Sequence, residues 1–307
     1  MSLPKDQFWW QLTFTYPQDA EESIFWKLES LGIQHIAVQF SPQSPNQRKF
    51  VVWLPSVHWS SLDRANLINS LKPLTSFVGL PISKLTWKKV EDQDWSKSWK
   101  KNWHADPVGD SLLILPAWLE VPGEYSHRLI LRLDPGSAFG TGSHPTTRLC
   151  LEALSRNRPI DLIVADIGCG SGILSLAALG LGAKKVIGVD IDPFAVSASN
   201  ENFKLNQVDD RRFDFCFGSV NALKNRLEGK LVDLLLCNTL APVIEKLAPN
   251  FEQLLDPCGR ALLSGILVDQ APKLVEIFDC LGWVATLCEE KDNWGLLEIR
   301  GRKPAKK

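Results

Sequence analysis

The 307-residue chain lacks several features that would narrow its role. It has almost no net charge, −1 with histidine neutral. No global basic field therefore draws it to nucleic acid. It has no apolar run long enough to cross a membrane, and its start shows no basic-then-apolar signal segment. A cytoplasmic monomer with no membrane contact is the expectation. Seven cysteines are present, but no C-x-x-C pair. That excludes a disulfide framework and a zinc ribbon, and the cysteines read as reduced, buried thiols. The five histidines show no metal-ligand spacing, so no metal is expected. Repeats and low-complexity segments are absent too. The basic tail from Arg300 to Lys307 reads as a solvated end. What remains is an ordinary globular composition, 45% hydrophobic and 22% charged, long enough for two domains.

The first 90 residues read as a small α+β unit. Trp9 to Tyr16 alternates as a strand, and Ala20 to Leu31 has helical spacing with Gly32 as its stop. His35 to Phe40 and Lys49 to Leu54 look like a strand pair across a Pro/Ser/Asn-rich loop. Ser61 to Ser70 looks helical with Ser61 as N-cap, and Leu85 to Val90 closes the set. The order β-α-β-β-α-β predicts a ferredoxin-like domain over 1–90. Residues 91–105 then predict a helical linker. Trp95, Trp99 and Trp103 recur every four residues and share one face, with Lys97, Lys100 and Lys101 between them. An interdomain helix burying its indoles is favoured over a basic-aromatic surface for a partner or RNA.

The remainder, 106–307, predicts the catalytic domain. Leu112–Pro116 and Arg128–Leu133 read as a strand pair. The glycine-rich segment from Asp134 to Thr147 leads into a helix from Thr147 to Arg156. Five strand candidates then alternate with helices: Leu162–Ile167, Lys185–Asp190, Arg212–Phe217, Leu231–Asn238 and Arg260–Leu267. Such alternation predicts a doubly wound, mostly parallel sheet. Trp283–Glu289 and Trp294–Arg300, separated by a short charged turn, should add an antiparallel hairpin at its edge.

The most informative stretch is Val164-Ala-Asp-Ile-Gly-Cys-Gly-Ser-Gly-Ile-Leu174, a buried strand running into a turn with Gly168, Gly170 and Gly172. One strand-helix-strand unit later, Lys185 to Asp190 ends in an acid. Glycine lets the backbone approach a ligand closely, and a terminal carboxylate can accept both ribose hydroxyls. The unit is suited to an adenosine-containing ligand. Dinucleotide sites place the third glycine five residues after the first; here the interval is four, with Asp166 two residues ahead. An acid followed by G-x-G-x-G resembles the first motif of class I S-adenosylmethionine-dependent methyltransferases. In that reading Asp166 can face an ammonium, and backbone N–H groups opening the next helix can face a carboxylate.

Other segments fit around this unit. In Asp190-Ile-Asp192-Pro193, Asp190 is the ligand candidate and Asp192 a helix cap. Asn238 ends a strand at the carboxyl edge of the sheet, where doubly wound folds bind ligands. Its amide there can accept a hydrogen bond from a substrate amine. In the segment from Asp134 to Thr147, Gly136, Gly140 and Gly142 permit folding over a ligand, and Thr146 and Thr147 offer hydroxyls.

Together these segments resemble the PrmA family, the ribosomal protein L11 methyltransferases. The resemblance rests on the Asp134–Thr147 segment, Asp166–Gly172, Gly188–Pro193, Asn238-Thr-Leu-Ala241, Ser264–Leu267 and the tryptophan-rich linker. Thr239 stands where the family usually carries an apolar residue. The resemblance implies a seven-stranded class I methyltransferase domain. It also implies methyl transfer from S-adenosylmethionine, with S-adenosylhomocysteine as product, to amino groups of ribosomal protein L11. The expected targets are lysine side chains and the N-terminal α-amine. It carries the cofactor contacts to Thr147, Gly168, Asp190 and Asn238, with Asp166, Gly170 and Gly172 secondary, and Asn238 orienting the amine. The N-terminal domain would present the substrate, and no nucleic acid is required. No His/Asp pair near the motifs looks like a dedicated base. A desolvated site beside a sulfonium should itself lower a lysine pKa. Two rivals are a nicotinamide-dependent oxidoreductase, disfavoured by the glycine spacing, and a non-catalytic ribosome-assembly factor, disfavoured by the intact motifs.

Overall fold

The structure is a computed structural model that describes residues 8–17, 24–25, 27–28, 31–33, 36–40, 47–76, 83–91, 103–134 and 142–302. The chain divides into two compact units, Met1–Trp103 and His104–Lys307. No helix among the described residues is long and apolar enough to cross a membrane.

In the first unit, β1 (Phe8–Pro17), β2 (Ile36–Phe40), β3 (Gln47–Pro55) and β4 (Ser83–Glu91) form an antiparallel sheet in the order β2-β3-β1-β4. Two-residue alternation puts Leu12, Phe14 and Tyr16 of β1 beside Phe50, Val52 and Leu54 of β3 on one face. That face packs on Ile24 and Leu28, which are helical, and on Leu67 and Leu71 of helix α1 (Ser61–Ser76). Element order and strand order are those of a ferredoxin-like sheet. The cap of α1 is Ser60 rather than Ser61. Its hydroxyl and backbone N–H both donate to Asp63, whose N–H donates back to Ser60 Oγ, a reciprocal capping box. Most of the expected linker helix, including Trp95 and Trp99, lies outside the described residues. Glu91 belongs to β4, and Trp103, His104 and Ala105 are not helical.

The second unit opens with a small sheet of β5 (Asp106–Val108), β6 (Leu112–Pro116) and β7 (Leu129–Leu133), where β6 and β7 run parallel. Helix α2 (Pro145–Arg156) starts two residues before the expected Thr147, with Pro145 in the first turn and His144 as cap. There follow β8 (Ile163–Ile167), α3 (Ile173–Gly180), β9 (Lys185–Asp190), α4 (Pro193–Leu205), β10 (Phe213–Phe217), α5 (Val220–Leu227), β11 (Val232–Asn238), α6 (Ala241–Leu247), β12 (Leu255–Leu267), α7 (Ala271–Cys280), β13 (Trp283–Lys291) and β14 (Trp294–Arg302). The seven-stranded sheet runs β10-β9-β8-β11-β12-β14-β13. Its first five strands are parallel, and β14 is antiparallel to both neighbours.

Alternation along the parallel strands feeds two cores. Val164, Val186, Leu234 and Leu262 join Leu154, Leu176 and Phe203 from α2, α3 and α4. Ala165, Ile187, Leu235 and Ala261 join Leu223, Ile244, Leu274 and Phe278 from α5, α6 and α7. Strands buried on both faces are why these runs are continuously apolar rather than alternating. The edge hairpin turns through Asp292 and Asn293, both left-handed at φ 50° and 67°. That is the signature of a two-residue type I′ turn. Strand order reverses between β8 and β11, so a ligand crevice is expected at their carboxyl ends.

Candidate functional site

The turn after β8 is built from backbone and one carboxylate. Gly168 and Cys169 donate N–H to Val189 O at 2.8 and 3.2 Å. Gly170 N–H donates to Asp190 Oδ2 at 2.9 Å, and Asp192 N–H to Asp190 Oδ1 at 2.9 Å. Asp190, half-buried at the end of β9, thus locks the glycine turn to the start of α4. Each carboxylate oxygen keeps a second lone pair for a ligand hydroxyl. Asp192 accepts from Phe194 N–H and caps α4, as expected. Gly168 has φ +75°, and a side chain there would meet no atom within 4 Å. The backbone is open at that point. Gly172, at φ +77°, faces Ser199 and Phe203 instead, so its missing side chain serves packing against α4.

Asp166 sits beneath this turn, 1% exposed, and accepts the Ser175 hydroxyl at 2.6 Å. Burial pushes its pKa from 3.8 up to about 7, partly offset by the Ser175 hydrogen bond. A cationic ligand group nearby would pull it back down. Cys169 lies within the turn, yet burial raises its thiol pKa, as it does for Cys150 and Cys237. None of these three is a ready thiolate nucleophile. Among the described residues no group of His, Cys, Asp or Glu could hold a metal.

At the end of β11, Asn238 donates from Nδ2 to Thr147 Oγ1 at 3.2 Å. Thr147 is 2% exposed in the first turn of α2. The helix start is set by His144, whose Nδ1 accepts from Thr146 N–H at 3.4 Å. The structure therefore joins Asn238 to Thr147, and Gly170 to Asp190, along the carboxyl edge of the sheet. Beside Asp190, Ile191 and Phe194 are 75% and 65% exposed, an apolar surface next to the carboxylate. Pro135–Thr141, with Gly136 and Gly140, lie outside the described residues.

One part of the site was not read from the sequence. Ser199, Asn202 and Asn206 share one face of α4 and its end. Ser199 Oγ donates to Gly170 O, and Asn202 Nδ2 to Ser171 O. Asn202 Oδ1 accepts from Asp134 N–H, and Asn206 both donates to and accepts from the Arg132 backbone. This ladder ties the glycine turn to the exit of β7. Asparagine is disfavoured in helix interiors, so its recurrence at helical spacing was an available signal.

A family model described as "Ribosomal protein L11 methyltransferase (PrmA)" matches residues 8–302. The ribosomal protein L11 methyltransferase of Prochlorococcus marinus (strain MIT 9303) is 54% identical over 294 residues, covering 96% of this chain and 97% of the relative. That of Parasynechococcus marenigrum (strain WH8102) is 54% identical over 286 residues, covering 93% and 99%. A crystal structure of the ribosomal protein L11 methylase from Lactobacillus delbrueckii subsp. bulgaricus superposes with a TM-score of 0.58 at 33% identity, covering 66% of this chain and all of that one.

Proposed function

This chain belongs to the family of ribosomal protein L11 methyltransferases, and from that premise we propose that it transfers methyl groups from S-adenosylmethionine to amino groups of ribosomal protein L11. The acceptors in this reading are lysine side chains and the N-terminal α-amine, and the reaction takes place in the cytoplasm. The observation that carries the reading is the row Gly168, Asp190, Thr147 and Asn238 along one sheet edge. It combines an open glycine backbone, a half-buried carboxylate and an oriented amide.

These residues fit the cofactor. Asp190 would accept the ribose hydroxyls, the bare backbone at Gly168 would admit the ligand, and the exposed Ile191 would cover the flat face of the adenine. S-adenosylmethionine supplies a methyl carbon bonded to a positively charged sulfur. Asn238, its amide held by Thr147, accepts an N–H from the incoming neutral amine through Oδ1. That aims the nitrogen lone pair at the methyl carbon. The N–C bond forms as the C–S bond breaks. S-adenosylhomocysteine leaves, and the product ammonium gives its proton to solvent. No side chain need act as nucleophile, in keeping with the buried, raised thiols. The first ~90 residues present the substrate, 91–105 link, and 106–307 catalyse. No nucleic acid is required in this scheme, and the protein acts as a monomer.

Calorimetric titration with S-adenosylmethionine and with NAD tests the cofactor assignment. Saturable binding of the former alone is expected. Tight NAD binding without response to S-adenosylmethionine would overturn it.

A further inference from the structure

At the amino-terminal edge of the parallel strands lies a recess, opposite the edge that carries Gly168, Asp190 and Asn238. β8 and β11 span five and seven residues between the two edges, about 17–23 Å at strand rise. The recess has a volume of about 540 Å³. Its wall is formed by the end of α2, the segment leading to β8, and strands β12 and β14. Arg156, Arg158, Arg260 and Arg300 line it together with Asn157 and Ile160, and no carboxylate is in the lining.

Helix capping explains part of this set. Arg260 donates to the Asn157 carbonyl at the C-terminal end of α2, and Arg156 pairs with Glu289. Glu298 is shared between Arg260 at 3.5 Å and Arg300 at 2.9 Å. Arg158, exposed, has no carboxylate partner among the described residues. Glu289 and Glu298 thus pair with three of the four guanidiniums, and Arg260 and Arg300 also line the adjoining recess that holds Asp233 and Asp256. Asp233 and Asp256 line a smaller adjoining recess of about 260 Å³, where each accepts a backbone N–H, from Ile163 and Cys258. Burial, together with the neighbouring Arg300, lowers the pKa of Arg260, while Glu298 opposes the shift.

Planar guanidinium forks match phosphate oxygens in pairs. Ile160 is 63% exposed on the same wall, an apolar surface beside the charge. We propose that this recess is a nucleotide-phosphate site, with Arg158 and Arg300 gripping the phosphate and Ile160 covering the sugar or base. The nucleotide comes either free or as part of an RNA strand. The site is separate from the cofactor edge and plays no part in the methyl transfer step.

The test uses the full chain with two probes, uridine diphosphate and a short oligouridylate. Neither carries the adenosine that the cofactor edge is suited to. Calorimetry for the first and fluorescence anisotropy for the second should show saturable, salt-sensitive binding of at least one probe, unchanged by saturating S-adenosylhomocysteine. Binding of uridine diphosphate assigns a free nucleotide; binding of oligouridylate alone assigns a strand. Arg158→Gln and Arg300→Gln should each weaken it about tenfold, the scale of one charge-assisted hydrogen bond. S-adenosylhomocysteine affinity of each variant reports that its fold is intact. Three outcomes would overturn the site: no binding of either probe, equal binding by the double variant, or displacement of the probe by S-adenosylhomocysteine.

Discussion

Asn238 and Thr147 are 91 residues apart in sequence and joined by a 3.2 Å hydrogen bond from the amide to the hydroxyl. One N–H of the amide is thereby held, which fixes the side chain; in the proposed reaction Oδ1 is the end that accepts from the amine. β11 fixes the backbone of one partner and the first turn of α2 fixes the other. The orientation of the amide is therefore a property of the sheet-helix packing rather than of a loop.

Removing the amide should cost turnover more than cofactor affinity. Asn238→Ala loses about 2 kcal/mol of hydrogen bonding to the amine, roughly thirtyfold in kcat. Thr147→Val keeps the shape but frees the amide to rotate, so kcat falls by a smaller factor, and Thr147→Ser restores it. Steady-state kinetics of the three variants check this. Equal kcat for Thr147→Val and the parent would remove the orienting role.

Asp190→Ala should weaken S-adenosylmethionine binding by about 1.5–3 kcal/mol, the scale of hydrogen bonds to a charged group. It should also lower thermal stability, because the N–H groups of Gly170 and Asp192 lose their acceptor. Calorimetry and a melting curve read the two effects separately. A dissociation constant equal to the parent's would refute the ribose contact.

Gly168→Ala and Gly142→Ala should fail in different ways. At Gly168 the new methyl meets nothing, so folding loses only the strain of φ +75°, about 1–2 kcal/mol, while the ligand loses its space. At Gly142 the methyl runs into Ile114 and Ile173, so the fold itself is weakened. Normal cofactor binding by Gly168→Ala would mean that the ligand does not pass there.

Asp166 predicts a pH dependence of stability. Its folded pKa of about 7 lies above the ordinary 3.8. The folded state therefore holds a proton that the unfolded chain has released. The group's contribution is fully present below about pH 4 and is lost as pH rises through about 7. Asp166→Asn keeps an acceptor for Ser175 and cannot ionise. Urea titrations at pH 5 and pH 8 should show the variant gaining relative to the parent at the higher pH. A constant difference would mean that Asp166 stays ionised throughout.

Much of this was legible in the sequence because most of the parallel strands are short, mainly apolar and end in chemistry. Lys185–Asp190 has the bounds expected of it, and Val232–Asn238 starts one residue later than expected. The edge hairpin was legible from its charged turn, which the left-handed Asp292 and Asn293 close. Local capping was less so. Ser60 rather than Ser61 caps α1, and Pro145 rather than Thr147 opens α2, because adjacent candidates differ only in backbone geometry. β5 is three residues long and contains Pro107, too little pattern to register. The Ser199–Asn202–Asn206 ladder was hidden for another reason. Its partners lie 29 to 74 residues away, and only the packing of α4 over the glycine turn brings them together. The arginine recess is assembled in the same way from three separate stretches.

The most direct measurement is the intact mass of ribosomal protein L11 after incubation with this protein and S-adenosylmethionine, followed by peptide mapping. The account predicts mass gains in whole methyl increments, mapped to lysine side chains and the N-terminal amine, and strongly reduced with Asn238→Ala. An unchanged mass with active, cofactor-binding protein, or methyl groups found only on atoms other than amino nitrogen, would contradict it.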